Sequence, residues 1–403
     1  MSPRHRRFVT VAGLVTLASI LSFAQDITPP VPERVTFHST VLGEDRIVFV
    51  RVPPGYANSD AAYPVLYLTD GDVYVNEIGS VADFLAANDR MPGVIIVGTV
   101  QSDRFRDLTP THADIKKRDG TIVFRVPTSG GADAFLKFLE TELAPNIQKR
   151  YRTEPFRILV GHSLGGLFAL HALISRPTIF QAYIAVSPSL EWDDEVVLRS
   201  AERFFASTKQ LKATLLVSSS DEGGIVSRFD DDLQQLRRIF ESHPLPGFTW
   251  DSLVMKDEDH NSGVLRAHYA GLRKIFSGWQ MPRDSQTLPV GGLPGIEEHY
   301  RQLSEQFGYD ISAERAINDL GYQLLAFNKA DDALAAFKRN VQLYPNSANV
   351  YNSLADYYEA IGQVDAARQN VSKAIEIATS RSSPQLFEFK KHLELLKSVK
   401  PPQ

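Results

Sequence analysis

One motif constrains the fold of this chain more than any other feature. The stretch FRILVGHSLGGLFALHAL, residues 156–173, combines a strand-like apolar run, a tight turn and a helix-like apolar run. A serine in such a turn is held in a strained conformation, so the residues two before and two after it must be small. Gly161 and Gly165 meet that requirement. Because no glycine-rich nucleotide-binding pattern is present, the motif predicts that Ser163 is a nucleophile.

Apolar runs recur along the chain on both sides of this motif. The first two, 34–42 and 45–53, are separated by Gly43-Glu44 and predict an antiparallel hairpin. Later runs are nearly continuous in Val, Ile and Leu, as in parallel strands covered on both faces. They are residues 63–69, 93–100, 156–161, 182–187, 214–219 and 249–255. With helical patterns between them, these runs predict an α/β fold with an eight-stranded, mostly parallel sheet.

Residues 1–24 have the layout of a secretory signal peptide. Arginines precede an apolar stretch, and Ser22 and Ala24 supply the small-residue cleavage pattern before Gln25. The alternative is an uncleaved anchor, but the apolar stretch is shorter than a bilayer requires. The chain has no cysteine, which excludes disulfides and thiolate metal sites. We therefore expect a bacterial periplasmic or extracellular protein without stable membrane insertion.

The composition changes after residue 280. We expect a hydrolase-like domain at 25–280, a Pro- and Gly-rich linker at 281–295 and a helical domain at 296–403. Apolar and small residues of that last segment recur 34 residues apart, the period of tetratricopeptide repeats. The pairs are Leu320 and Leu354, Ala333 and Ala367, Phe337 and Val371, Val341 and Ile375, and Leu343 and Ile377. Since two repeats are few for an independent stack, they should pack on the first domain or bind another protein chain.

A serine nucleophile needs a base, which should follow the last strand of such a sheet. His260 occupies that place, in the segment KDEDHNSGVLRAHY. His162 should point away from the serine across the turn, whereas His243 and His268 fit surface or packing positions. His260 is therefore the predicted base.

The acid should follow the seventh strand-like run, TLLVSSSDEGG. Asp221 and Glu222 both lie there, and either could orient the imidazole. Three carboxylates just before His260 could also stabilise its charged form. The residues alone leave the acid open.

Two backbone N–H groups should bind the oxyanion. Leu164 supplies one as the residue after the nucleophile, and Asp72 the other from the loop after the third strand-like run. Metal binding by Asp70 and Asp72 is the alternative use of that loop, but two carboxylates in one turn are too few. We predict no metal site and no cofactor.

Five stretches together resemble the esterase D-like α/β-hydrolases, within which bacterial siderophore trilactone esterases are most similar: YPVLYLTDGDVYVNE, GVIIVGTVQSDRFRDLTP, ILVGHSLGGLFALHAL, AYIAVSPSLEWDD and EDHNSGVLRAHYAGLRKIF. The resemblance covers residues 34–276 and implies the α/β-hydrolase fold and serine catalysis on a small-molecule ester. Relatives carry their acid in a Gly-x-x-Glu setting, which favours Glu222, although Ser219 replaces the glycine.

The same resemblance bears on substrate recognition. Trp192 stands where relatives carry an aromatic pocket wall, with a packed surface loop as the alternative. Arg104 lies at the ligand-binding edge of the fourth strand-like run, where an anionic siderophore would bind. Arg106 and Asp107 beside it fit a structural ion pair. Residues 111–130 form an insertion that either overhangs the site or is an exposed hairpin.

Three functions fit these residues. The first is a secreted serine esterase, the second an inert hydrolase-fold scaffold that binds proteins through its repeats, and the third an acyltransferase using the same triad. The formal net charge of -5 gives no indication of a nucleic-acid partner. No triad member is missing from the sequence, which favours an enzyme.

Overall fold

The computed structural model describes residues 30–116, 120–221 and 229–398. The predicted signal peptide, residues 1–24, lies outside this range. The chain divides into two compact units. The sheet unit contains Val31–Met281 and His299–Ile311, and the helical unit contains Pro282–Glu298 and the residues from Ser312 onward. Within the described ranges, no helix combines the length and apolar character that crossing a bilayer requires.

The sheet unit contains one large sheet and one short hairpin. Their strands are β1 (Glu33–Ser39), β2 (Glu44–Arg51), β3 (Tyr63–Leu68), β4 (Ile95–Thr99), β5 (Ile115–Lys116), β6 (Ile122–Phe124), β7 (Thr153–His162), β8 (Ala182–Val186), β9 (Ala213–Asp221) and β10 (Phe248–Asp259). The large sheet has eight strands in the order β1-β2-β4-β3-β7-β8-β9-β10. The β1–β2 and β2–β4 pairs are antiparallel, and every later pair in this order, starting with β4–β3, is parallel. The predicted eight-stranded, mostly parallel α/β fold is confirmed.

Helices cover both faces of the large sheet. In chain order they are α1 (Gly71–Ala87), α2 (Arg104–Leu108), α3 (Ala132–Phe138), α4 (Ala144–Arg150), α5 (Leu164–Ser175), α6 (Trp192–Ser207), α7 (Phe229–Ser242) and α8 (Gly263–Ile275). A π-helical turn, Leu139–Leu143, joins α3 to α4.

Alternate residues of each central strand enter two separate cores, which explains their continuous apolar sequences. In β3, Tyr67 packs into the core that contains Phe135 and Leu167. Its neighbour Leu66 packs into the core that contains Ile78 on the opposite face. A polar residue on either face would be buried without water, so the sequence of these strands is mostly apolar.

The segment after the predicted linker differs from expectation. The helix α9 (Gly292–Phe307) begins at Gly292, inside the predicted linker 281–295. Pro294 lies in its first turn, where a proline is compatible with helix formation. Residues His299–Ile311 group with the sheet unit, whereas the sequence places them at the start of the helical domain, before the repeats. The cause is aromatic packing, because the ring of Phe307 lies 5.2 Å from that of Phe156 and 5.4 Å from that of Phe276.

The helical unit continues with α10 (Glu314–Ala326), α11 (Ala330–Leu343), α12 (Ala348–Ala360), α13 (Val364–Ser380) and α14 (Leu386–Ser398). The second helix pair begins at positions offset from the first by the predicted repeat period. Ala333, Phe337, Ala367 and Val371 are fully buried, as their recurrence at helix contacts predicts. The all-helical C-terminal architecture is confirmed.

Candidate active site

Ser163 lies at the turn between β7 and α5 with φ 60° and ψ −117°. This conformation is strained for a residue with a Cβ atom. It is stabilised by a hydrogen bond from the Ser163 N–H to the Val186 carbonyl at 2.9 Å. A Cβ on Gly161 would collide with the backbone of Gly165. The small residues flanking the serine are thus a steric requirement of the turn, as the motif predicts.

The absence of a side chain at Gly165 allows the loop after β3 to approach the serine turn closely. A Cβ on Gly165 would collide with Thr69 Oγ1 and lie 3.6 Å from an Asp70 carboxylate oxygen. The loop after β3 therefore packs against the start of α5. Leu164 opens α5 and Asp72 lies in the first turn of α1, where backbone N–H groups have no intrahelical acceptor. Two helix N-termini thus meet near Ser163, an arrangement suited to binding a developing oxyanion.

His260 lies in the short loop between β10 and α8. Asp259 shapes that loop, because its Oδ1 accepts hydrogen bonds from the N–H groups of Asn261 and Ser262, both at 2.8 Å. These two bonds lower the pKa of Asp259. The two acids before it bind elsewhere, since Asp257 and Glu258 both contact Arg266. These carboxylates therefore stabilise the loop and the helix that follows it.

His162 connects the nucleophile turn to the His260 loop. Its Nε2–H donates to the His260 carbonyl at 2.8 Å, and its Nδ1 accepts from the Tyr74 hydroxyl at 3.1 Å. The His162 and His260 ring centroids are 4.5 Å apart. Burial, followed by the neighbouring His260, lowers the pKa of His162 to about 4. The ring is therefore neutral and carries one proton, on Nε2.

The sequence gives no indication of this contact of His162. Its partner is 98 residues away in sequence. A local sequence pattern cannot indicate a contact between two segments this far apart in the chain. The only available indication was the polar character of a residue that ends a buried strand. The two other histidines set aside by sequence occupy expected places: His268 is fully buried beside Glu77, and His243 pairs with Glu202 on the surface.

The structure describes only one of the two candidate acids. Asp221 ends β9 and is the strand partner of Asp259, the residue before His260. Glu222 follows directly but lies outside the described residues, so the structure does not discriminate between them. The end of β9 and the His260 loop are adjacent, as the triad requires.

Arg104, predicted to bind substrate, forms an ion pair with Asp70. Its Nε lies 2.6 Å from Asp70 Oδ1, and a second nitrogen lies 3.0 Å from Oδ2. Asp70 has a left-handed backbone with φ 54° at the start of α1. The ion pair therefore fixes the loop that leads to Asp72, and it neutralises much of the charge that Arg104 would offer to a ligand.

Trp192, the other predicted substrate residue, is 5% exposed. Its indole N–H donates to the Thr111 carbonyl at 3.3 Å, and its ring lies 6.1 Å from that of Phe105. Phe105 in turn lies 6.4 Å from Phe124 of the β5–β6 hairpin. Phe124 is exposed, so the insertion at 111–130 includes an exposed hairpin that contacts this aromatic row.

Charged side chains form a network centred on the buried carboxylate of Asp107. Arg46 is 2% exposed and its guanidinium lies 2.9 Å from Asp107 Oδ2. Arg106 binds the other Asp107 oxygen at 2.8 Å, so the predicted ion pair is confirmed. Arg106 also binds Glu44 and holds the pKa of that carboxyl at about 2. The network anchors α2, the helix on which Arg104 lies.

A strained serine between a parallel strand and a helix, beside two helix N-termini, defines the α/β-hydrolase class. Residues 39–235 match the family model described as putative esterase. This region of the chain is therefore similar to that family, and the resemblance predicted from the sequence motifs is confirmed.

Individual proteins agree with this assignment. The chain is 34% identical over 193 residues to ferri-bacillibactin esterase BesA of Bacillus subtilis, a match covering 44% of this chain and 66% of that protein. It is 30% identical over 190 residues to the siderophore triacetylfusarinine C esterase of Aspergillus fumigatus, covering 45% and 64%. The matches therefore span less than two thirds of these relatives' own length.

One solved structure covers most of the chain. The crystal structure of an IroE-like serine hydrolase from Shewanella oneidensis matches with a TM-score of 0.63 and 26% identity, covering 91% of this chain and 98% of that one. The fold is therefore shared over nearly the whole length of both chains.

Proposed function

We propose that this protein is an exported serine esterase that hydrolyses carboxylic esters. The observation that carries the proposal is the strained Ser163 turn, joined through His162 to the loop of His260. In the proposed reaction, Ser163 Oγ attacks the ester carbonyl and His260 takes its proton. The N–H groups of Leu164 and Asp72 bind the oxyanion. His260 returns the proton to the departing alcohol, and water then releases the acyl group.

The third triad member orients His260 through its other ring nitrogen. We propose Glu222 for this role, with Asp221 as the competing residue. Support comes from Asp221, which ends β9 and pairs with the residue before His260, and from the place of Glu222 directly after it in the sequence.

Siderophore-type esters are the proposed substrate class. Support comes from the similarity of the domain to the ferri-bacillibactin esterase and the triacetylfusarinine C esterase, both of which act on siderophores. Acyl transfer to another acceptor would use the same residues, but no observation in the described structure favours it. Comparing release of the acid in water with product formation on added alcohols distinguishes the two reactions.

Hydrolysis of p-nitrophenyl acetate and butyrate tests the esterase proposal. We expect the wild-type protein to release p-nitrophenol and Ser163→Ala to lose that activity. Ser175→Ala is the matched control, because Ser175 is an exposed serine on the same helix, α5. Wild-type protein no faster than Ser163→Ala would instead support the inert scaffold.

We also propose that residues 1–24 direct export and that the repeats of the helical unit bind a protein partner. The charged, apolar and small-residue segments of the N-terminus support export. The regular helix pairs, α10–α11 and α12–α13, support a tetratricopeptide-type unit. Mass spectrometry of the exported protein should find Gln25 as its first residue. A pull-down with residues 282–403 fused to a carrier tests the partner.

A further inference from the structure

Three metal-binding side chains converge in the helical unit. Asp356 and Glu359 lie three positions apart on α12 and therefore on one face of that helix. His392 lies on α14. One ligand atom from each lies within 4.8 Å of the other two. These residues belong to neither the predicted triad nor the predicted helix contacts.

The orientation of the His392 ring leaves an acceptor facing both carboxylates. Its Nδ1 lies 2.7 Å from Asn352 Oδ1. Because an amide oxygen only accepts, Nδ1 carries the proton of the neutral ring. Nε2 then presents its lone pair to Glu359 Oε2 at 3.2 Å and to Asp356 Oδ1 at 3.6 Å.

A positive charge between three acceptors that face one another stabilises them. A proton on Nε2 could form a good hydrogen bond to one carboxylate only, and Asp356 Oδ1 at 3.6 Å is beyond that range. A divalent cation satisfies all three atoms together. Ligand atoms bound tetrahedrally at about 2.1 Å from zinc are about 3.4 Å apart. The two distances from Nε2 lie on either side of that value.

Outer contacts hold two of the three ligands. Asn352 orients the imidazole through Nδ1, and the Tyr322 hydroxyl donates to the second oxygen of Asp356 at 2.6 Å. Metal-bound histidines and carboxylates are typically held by such second partners. The His392 side chain is 15% exposed and that of Glu359 46%, so an ion can enter from the Glu359 side and retain water.

We propose that Asp356, Glu359 and His392 form a site for a divalent transition-metal ion of the zinc type. One nitrogen and two carboxylate ligands favour such an ion over magnesium or calcium, which prefer oxygen ligands alone. The bound ion connects α12 to α14 and so ties the last helix to the second repeat. The proposal is independent of the esterase activity.

Calorimetric titration of the EDTA-treated full chain with ZnCl₂ tests the site. We expect saturable binding of one ion, which excess MgCl₂ does not displace. Glu359→Gln and His392→Ala should each weaken binding by about tenfold or more, and Asn352→Leu, which removes an outer partner, by about tenfold. Circular dichroism establishes that each variant is folded. Glu359→Gln preserves side-chain shape and hydrogen-bonding capacity, so it separates ligation from folding.

Matched controls distinguish this site from surface binding. Glu394→Gln changes an exposed carboxylate on the same helix as His392, and His243→Ala changes a surface histidine that pairs with Glu202. Both should leave zinc affinity unchanged. Absence of saturable zinc binding would show that the three side chains contact one another without holding a metal ion. Binding that persists unchanged in Glu359→Gln and His392→Ala would place the ion elsewhere. Either result overturns the proposal.

Discussion

The Nε2–H of His162 donates to the backbone carbonyl of His260 at 2.8 Å. This bond joins the residue before the predicted nucleophile to the predicted base itself. It fixes where the loop after β10 lies relative to the strained turn after β7. A side chain outside the proposed reaction thereby connects the two residues that we propose carry it out.

Replacing His162 should lower turnover more than substrate binding. We expect His162→Ala to reduce kcat by about 10- to 100-fold with a small change in KM, because displacement of a catalytic group by about 1 Å has effects of that size. His162→Gln should recover part of the loss, since its amide N–H can replace Nε2–H. His171→Ala, which removes a histidine on α5 that binds Asp133 at the surface, serves as control. An equal loss of activity in both variants would contradict the positioning role.

The neutral state of buried His162 should make stability depend on pH. Its pKa is about 4 in the folded protein, below the ordinary value of 6.5. Between these values the unfolded chain binds more protons, so stability rises with pH and is lost as pH falls from 6.5 toward 4. The loss between pH 7.5 and pH 5 should be about 2 kcal/mol.

Urea unfolding of wild-type protein and His162→Gln at pH 7.5 and pH 5 measures this contribution. The difference in unfolding free energy between the two proteins should shrink at pH 5, because only the wild type loses the His162 contribution. A difference that is the same at both pH values would show that His162 titrates normally.

The two candidate acids should differ in their effect on catalysis. We expect Glu222→Gln to lower kcat by about a thousandfold or more, because the imidazole loses the charge that stabilises its protonated form. Asp221→Asn should have a much smaller effect. The reverse order in p-nitrophenyl butyrate assays would assign the role to Asp221.

Loss of the buried Asp107 charge should destabilise the sheet unit. Asp107→Asn leaves the Arg46 guanidinium, 2% exposed, with a weakened partner, and we expect a loss of about 3 kcal/mol. Asp45→Asn changes an exposed carboxylate paired with His38 and should cost less than about 0.5 kcal/mol. Chemical denaturation gives both values. Equal unfolding midpoints for the two variants would contradict this role for the network.

The architecture followed from the sequence because its causes are local. Strands buried on both faces require continuous apolar runs, and the serine turn requires Gly161 and Gly165. The repeat period also appears directly in the spacing of residues such as Phe337 and Val371. What could not be predicted depends on contacts between distant segments.

Several such contacts changed the interpretation of single residues. The sequence predicts that Arg104 binds substrate but gives no indication of the ion pair that it forms with Asp70. The sequence places residues 296–311 in the helical domain, before the repeats, and does not indicate that Phe307 packs with Phe156 of the sheet unit. The sequence around these residues has an ordinary composition and spacing. Their partners lie in distant segments, so only the folded chain identifies them.

Covalent labelling with a fluorophosphonate tests directly whether Ser163 is a reactive nucleophile, because the reagent requires no knowledge of the natural ester. Peptide mass spectrometry of the labelled protein identifies the modified residue. We expect a single adduct on Ser163, which is absent in Ser163→Ala and forms more slowly in His260→Ala. An unlabelled wild-type protein, or an adduct on any other serine, would contradict it.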